Sequence, residues 1–232
     1  MRLAVIPARG GSKRIPRKNV RPFAGLPMIA HALRCAQRSG VFDRIVVSTD
    51  DAEIAAIARE HGADTPFQRP AALADDHTPT VPVIAHALDA LQPPDDAAVC
   101  CLYPGVPLLD PALLRSALAV LEGGATGFVF PVAAHPSPVQ RALLRAADGS
   151  SRPMQPEHSL TRTQDLPPAY FDAGQFYWGR AAAWRAGLPI HQHAHTLVLP
   201  AWSVVDIDTE EDWQRAERLY QAWRPAATTG PV

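Results

Sequence analysis

The stretch RLAVIPARGGSKRIPRKN, residues 2–19, decides how the chain folds. Arg2 to Ile6 reads as a short buried strand. A glycine pair, Gly10-Gly11, and five cationic side chains, Arg9, Lys13, Arg14, Arg17 and Lys18, follow at once. Met28, Ile29, Ala32, Leu33 and Ala36 then recur at helical spacing until Ser39-Gly40 stops them. Strand, basic loop and helix make the first unit of an α/β sheet, and the carboxyl end of its first strand is where such folds place ligands. Adjacent glycines let the backbone approach an anion closely, and the cations around them add charge. The loop matches neither G-x-x-x-x-G-K-[ST] nor G-x-G-x-x-G, which sets aside a P-loop and a dinucleotide fingerprint. Phosphate binding is the reading it supports best, with a solvated basic loop as the plain alternative.

Outward from this unit, Arg44-Ile-Val-Val-Ser48 repeats the strand signal, and Asp50-x-x-Glu53 resembles a helix-starting box ahead of Ile54, Ile57 and Ala58. A helix over Thr80–Leu91, a strand over Ala98–Tyr103 and a helix from Pro111 continue the alternation. The fold class is α/β, a mostly parallel sheet flanked by helices. After Gly127 the texture changes. Phe128–Val132 is a strand, but residues 133–168 carry Pro136, Pro138, Pro153, Pro156, Pro167 and Pro168 and read as an arm or insertion. Strand-like runs return at Tyr170–Gly179 and His195–Asp208. Thr209-Glu-Glu-Asp212 then opens a last helix that buries Trp213, Ala216, Leu219 and Tyr220. We expect a single domain over residues 1–225, with 133–168 as its arm and 226–232 as a disordered tail.

The 232 residues suffice for one sizeable core, and 47% hydrophobic with 19% charged residues is ordinary for a globule. With 22 Lys and Arg against 23 Asp and Glu, the positive charge of the loop is local, which argues against a nucleic-acid binder. No apolar run nears the roughly 20 residues of a membrane span, and the N-terminal apolar run is shorter than a secretory core, so the expected place is the cytoplasm. Cys35, Cys100 and Cys101 lack metal or disulfide spacing and read as buried thiols.

Val204-Val-Asp-Ile-Asp208 sets two carboxylates two residues apart. In an extended strand Asp206 and Asp208 would share a face, about 7 Å apart at the backbone, a spacing that suits one hard cation. The plain alternative makes Asp208 a helix starter and Asp206 a turn residue. His191-Gln-His-Ala-His195 invites a metal reading, but an exposed segment without function is the simpler one.

Taken in order, Pro7–Asn19 as P-A-R-G-G-S-K-x-x-x-x-K-N, Pro27-Met28-Ile29, Ser48-Thr49-Asp50, Arg69-Pro70 with Leu73-Ala-Asp-Asp76, and Val205-Asp-Ile-Asp208 resemble the cytidylyltransferases that activate acidic sugars. Phe67-Gln-Arg-Pro70, Cys101-Leu-Tyr-Pro104, Arg162-Thr-Gln-Asp165 and Asp172–Gly179 look most like the pseudaminic acid branch. The resemblance implies a Rossmann-like nucleotidyltransferase fold and transfer of CMP from CTP to the anomeric hydroxyl of an acidic nonulosonic sugar. It implies Mg²⁺ on Asp206 and Asp208, with Arg9 and Lys18 beside them in catalysis. Ala8, Arg9, Gly10, Gly11, Ser12, Lys13, Lys18, Asn19, Arg69 and Asp76 would form the nucleotide site, Arg69 and Asp76 near base and ribose. Tyr103, Arg141, Arg162, Gln175, Phe176 and Tyr177 would form the sugar site, though part of the aromatic run Phe176-Tyr-Trp178 equally reads as core. The arm resembles a dimerisation element, so a homodimer is implied. Gly105-Val106 departs from the family's Thr and small residue after Tyr-Pro. Two alternatives stay open: the same reaction on sialic or legionaminic acid, and a non-catalytic CTP- or CMP-binding pseudoenzyme.

Overall fold

The computed structural model of the chain describes residues 1–223. The expected tail, 226–232, lies outside them. The regular elements are β1 (Arg2–Pro7), β2 (Pro22–Phe23), β3 (Leu26–Pro27), α1 (Met28–Ser39), β4 (Arg44–Ser48), α2 (Ala52–Glu60), α3 (Thr80–Leu91), β5 (Ala98–Leu102) and α4 (Pro111–Glu122), then β6 (Val129–Ala134), β7 (Leu143–Arg145), β8 (Ser151–Pro153), β9 (Tyr170–Asp172), β10 (Phe176–Arg180), α5 (Ala181–Arg185), β11 (His195–Leu199) and α6 (Glu210–Ala222). Short 3₁₀ turns fill several of the connections.

The main sheet has seven strands in the order β11-β6-β10-β5-β1-β4, with β9 also on β6. Only β9 and β10 run against the others. The expected Tyr170–Gly179 strand is broken in two: β9 and β10 each pair with β6, and Gly174 turns between them at φ +61°. A side chain there would be strained, so glycine permits the break.

Alternation along the central strands builds the core on both faces of the sheet. On β5, Ala98, Cys100 and Leu102 join Ile6, Leu33, Val47, Phe176 and Trp178 on the face that α1, α2 and α4 cover. Val99 and Cys101 join Leu3, Val5, Leu88, Phe128, Tyr177 and Trp184 on the opposite face, under α3 and α5. The three cysteines are accordingly buried and free. α1 stops at Gly40, whose left-handed φ of 68° closes the last turn on Gln37. α6 begins with the reciprocal cap of Thr209 and Asp212, and Trp213 and Ala216 seat it on Phe23 and Met28. No described helix is long and apolar enough to cross a membrane.

Candidate active site

Between β1 and β2 the chain runs largely as turns from the carboxyl end of β1, and the start of α2 holds that loop in place. The Gly10 N–H donates to Asp50 Oδ1 at 3.0 Å. Arg17, at φ +57°, donates to Asp51 at 2.5 Å and also to Glu53. The cap of α2 is thus Asp51, which accepts from the Glu53 and Ile54 N–H groups, and not Asp50 as the box pattern implied. Asp50 is turned to the loop instead. A Cβ on Gly10 would lie 2.5 Å from Asp51 Oδ2 and 3.0 Å from Asp51 Cβ, so close packing against this fixed carboxylate demands glycine. The Arg17 guanidinium holds the Asp51 carboxyl below its ordinary pKa, against the opposing effect of partial burial.

Beneath the loop lies a cavity of about 440 Å³, within the roughly 300–1,000 Å³ of small-molecule sites. Arg9, Lys13, Arg14 and Lys18 line it, against the carboxylates Asp76 and Asp208, an excess of two positive charges. Ser12 and Asn19 add polar groups, and Pro7 and Pro104 mark the ends of β1 and β5 as its walls. Asn19 is 6% exposed; its Nδ2 donates to the Arg9 carbonyl at 3.0 Å, while its Oδ1 has no partner among the described residues. Asp76 pairs with Lys13 and with Arg9, the latter at 2.5 Å, and the two cations, Lys13 first, lower its pKa. Arg14 meets Asp208 at 2.9 Å. Lys18 donates to the Ile207 carbonyl at 2.7 Å and stands 3.5 Å from Asp208.

Arg9, Ser12, Lys13, Lys18, Asn19, Asp76 and Asp208, all anticipated from sequence, therefore meet around one cavity together with Arg14, expected as one of the loop's five cations, whereas the fifth, Arg17, is turned to Asp51 and Glu53. Ala8 is buried at the base of the loop, and Gly11 has open space around it. Arg69 is 4% exposed and turned inward: its guanidinium donates to the Ser48 hydroxyl and carbonyl, and burial lowers its pKa to about 10, so it stays charged at neutral pH. Asp76, paired as above, sits with the cationic loop.

The aromatic residues expected at the sugar divide by strand parity. Phe176 is fully buried in the core face of α1 and α4. Tyr177 lies on the other face, its ring 5.6 Å from that of Tyr103 and its hydroxyl donating to Asp172 at 2.8 Å. Tyr103 shares a 2.6 Å hydrogen bond with the Thr80 hydroxyl, and burial raises its pKa to about 12. Gln175 is buried, and its Nε2 donates to the Ser203 carbonyl at 3.3 Å in a separate small cavity beside Trp202. Arg141 and Arg162 are exposed on the arm outside the cationic cavity; Arg162 lies 3.8 Å from Asp165 of its own segment.

Asp206 and Asp208 are not on a strand. Pro200 follows directly after β11, and residues 204–208 run irregularly into the cap of α6, so alternation does not set their facing. Asp206 keeps much of its surface in solvent, yet protein crowds its carboxylate enough that desolvation, and next the charge of Asp208, raise its pKa; Lys18 and Arg14 act in the opposite sense. Among the described residues no three His, Cys, Asp or Glu side chains form a ready cage for a metal. Two mutually repelling carboxylates beside a cationic pocket nonetheless fit Mg²⁺, which takes one or two carboxylates and fills its shell with water and substrate phosphate oxygens.

Residues 3–222 match the family model of the cytidylyltransferases. The chain belongs to the cytidylyltransferase family. Among its relatives, the pseudaminic acid cytidylyltransferase of Campylobacter jejuni strain 81-176 is 40% identical over 94% of this chain and 96% of that protein. The CMP-N,N'-diacetyllegionaminic acid synthase of Legionella pneumophila is 33% identical, again over 94% and 96%. A solved CMP:2-keto-3-deoxy-manno-octonic acid synthetase complexed with CTP superposes with a TM-score of 0.70 over 95% of this chain and 98% of its own; at 17% identity this cytidylyltransferase likeness is one of fold.

Proposed function

We propose that this cytidylyltransferase moves CMP from CTP to the anomeric hydroxyl of pseudaminic acid, releasing pyrophosphate. The observation that carries the reading is the meeting of Arg9, Lys13, Arg14 and Lys18 with Asp208 around one cavity, in a chain 40% identical to a pseudaminic acid cytidylyltransferase over nearly its whole length.

CTP carries about four negative charges near neutral pH, and the sugar adds a carboxylate; at such short range, repulsion must be offset by fixed cations. Arg9, Lys13 and Lys18 supply them over the triphosphate. The unpartnered Asn19 Oδ1 suits an N–H donor such as the cytosine amino group. Arg69, locked on Ser48, supports the floor next to Asp50 rather than touching the ligand. In the reaction, the anomeric oxygen forms a bond to the α-phosphorus while the bond from that phosphorus to the pyrophosphate oxygen breaks. The hydroxyl proton leaves to a base, a role open to Asp208 on the cavity wall and to Asp206, whose carboxylate feels the charge of Asp208. Mg²⁺ held by this pair, when bound, would neutralise phosphate charge and polarise the phosphoryl oxygens. Catalysis then rests on positioning and charge stabilisation.

The arm completes the proposal as a dimerisation element of a cytoplasmic homodimer. Its Leu143, 63% exposed, and Leu160, 97% exposed, leave apolar surface for a second copy. Light scattering of the eluted protein at micromolar concentration tests this, a dimer mass being expected.

The reaction is tested by pyrophosphate release from purified protein with CTP, Mg²⁺ and pseudaminic, N-acetylneuraminic or N,N'-diacetyllegionaminic acid in turn. Release with pseudaminic acid at the highest kcat/KM is expected. Preference for another sugar overturns the substrate, and CTP binding without release from any of them overturns catalysis.

A further inference from the structure

A second cavity, of about 330 Å³, opens between α1, the end of α6 and the connection from β5 to α4, and it shares no lining residue with the cationic one. Its size again suits a small molecule. His31 forms part of the wall although only 8% of the residue is exposed. Its Nε2 lies 2.8 Å from the Phe23 carbonyl, and since a carbonyl only accepts, Nε2 carries the proton. Burial first, with the charge of Arg34 acting in the same sense and the Phe23 bond against it, lowers the His31 pKa, so the ring stays neutral at pH 7. Nδ1 is then an acceptor without a partner among the described residues. Phe23 and Tyr220, each edge-on at 5.4 Å between centroids, hold the ring in place.

Arg34 and Arg38, one turn apart on α1, bring two guanidinium groups to the same cavity. Neither has an ion-pair or hydrogen-bond partner among the described residues, whereas Arg17 and Arg21, earlier in the chain, are both bound to carboxylates. Asp110 is the carboxylate of this lining, and its Oδ1 is engaged in capping α4 through the Ala112 N–H at 2.8 Å. One positive charge is left over. Tyr220 and Trp223 add aromatic surface. Unpaired guanidinium groups, a fixed acceptor and aromatic walls together call for a ligand with an anionic group, a hydroxyl or N–H donor and a carbon face. A bare inorganic anion would use only the first and leave most of the space empty.

We propose that this cavity is a second, regulatory site for an organic phosphate, with the phosphomonoester on Arg34 and Arg38, a hydroxyl or N–H on His31 Nδ1, and a sugar or base face against Tyr220 and Trp223. Guanidinium groups suit phosphate oxygens through paired, charge-assisted hydrogen bonds. Three elements carry its occupancy to the cationic cavity. α6 ends at the Trp223 wall and begins just after Asp208. The connection after β5 lends Pro104 to the first cavity and Pro107, Leu109 and Asp110 to the second. In α1, the Ile29 N–H donates to the Asn19 carbonyl at 2.9 Å, two residues before His31. The binding stands by itself, and its effect on turnover rests on the transferase reading above.

The test is calorimetric titration of the full chain with AMP, UMP, N-acetylglucosamine 1-phosphate and inorganic phosphate, for the wild type, Arg34→Gln/Arg38→Gln and Lys18→Met. At least one organic phosphate is expected to bind the wild type about tenfold or more tightly than inorganic phosphate does. Binding should fall at least about tenfold in the double arginine variant, the scale of losing charge-assisted hydrogen bonds, and stay within about twofold in Lys18→Met. Preference for the nucleotides or for the sugar phosphate tells which source supplies the ligand. The bound ligand should also change KM for CTP in pyrophosphate release by about threefold or more in the wild type and not in Arg34→Gln/Arg38→Gln, whose turnover without ligand is expected to be unchanged. No binding of any organic phosphate, binding no tighter than that of inorganic phosphate, or binding lost in Lys18→Met but kept in the double arginine variant overturns the site. Binding that leaves KM for CTP unmoved overturns the regulatory role. A wild type that releases no pyrophosphate with any of the three sugar acids overturns the transferase reading and with it the regulatory role, while the titrations still decide the site.

Discussion

Lys18 and Asp208 stand 3.5 Å apart, although one lies on the first loop and the other on the turn into the last helix. The Lys18 ammonium also donates to the Ile207 carbonyl, 189 positions along the chain. This cross-connection sets Asp208 on the wall of the cationic cavity, where the phosphates are proposed to lie. Replacing Lys18 by Met should lower kcat for pyrophosphate release by about 10²–10³, the scale of losing one charge-stabilising donor. Lys18→Arg should restore only part of it, since a planar guanidinium cannot reproduce both contacts. Rapid-quench or coupled assays of the variants give the answer.

Gly10 and Gly11 are neighbours with opposite tolerance. A Cβ at Gly10 meets Asp51, which Arg17 and the helix cap hold still, whereas at Gly11 nothing lies within 4 Å. Gly10→Ala is therefore expected to lower the melting temperature and cut kcat/KM for CTP by tenfold or more. Gly11→Ala should leave the fold unchanged in a thermal melt, and equal effects of the two substitutions would refute the account of the loop.

The Arg17–Asp51 pair gives a pH signature. Because Asp51 has a folded pKa below its unfolded one, its stabilisation is present above the unfolded value of about 3.9 and is lost as pH falls through the folded value. Asp51→Asn keeps a capping side chain but removes the charge. The wild type should exceed this variant in stability at pH 7, and the gap should close as pH drops below about 4, as urea titrations at a series of pH values would reveal. A gap constant down to pH 3 would contradict the pair's role.

Asp76 neutralises Arg9 and Lys13 where the triphosphate is proposed to lie. Asp76→Asn should bind inorganic pyrophosphate about two- to fivefold more tightly, in keeping with the modest worth of part-exposed pairs, with the gain shrinking at high salt. Calorimetric titration measures it. Weaker binding would instead mean that Asp76 holds Arg9 and Lys13 in the geometry that receives the anion.

Much of this was legible in the chain. The apolar run of β1, the 3.6-residue period of α1 and the Gly40 stop are local signals, and the fold reproduces them. The cationic loop was legible because its residues are contiguous. What failed depended on distant partners. Asp206 and Asp208 read as a strand pair only if Pro200 is ignored, and Phe176 reads as a ligand wall until strand parity turns it into the core. The Asp50 box misled by one position because Asp50 is claimed by Gly10, 40 residues away.

The most direct measurement is a phosphorus NMR time course of the full chain with CTP, Mg²⁺ and pseudaminic acid carrying ¹⁸O at its anomeric hydroxyl. The account predicts pyrophosphate and a new phosphodiester signal shifted by the label in its bridging oxygen, both abolished by Asp208→Ala. Unchanged CTP, or free CMP with no labelled diester, would contradict it.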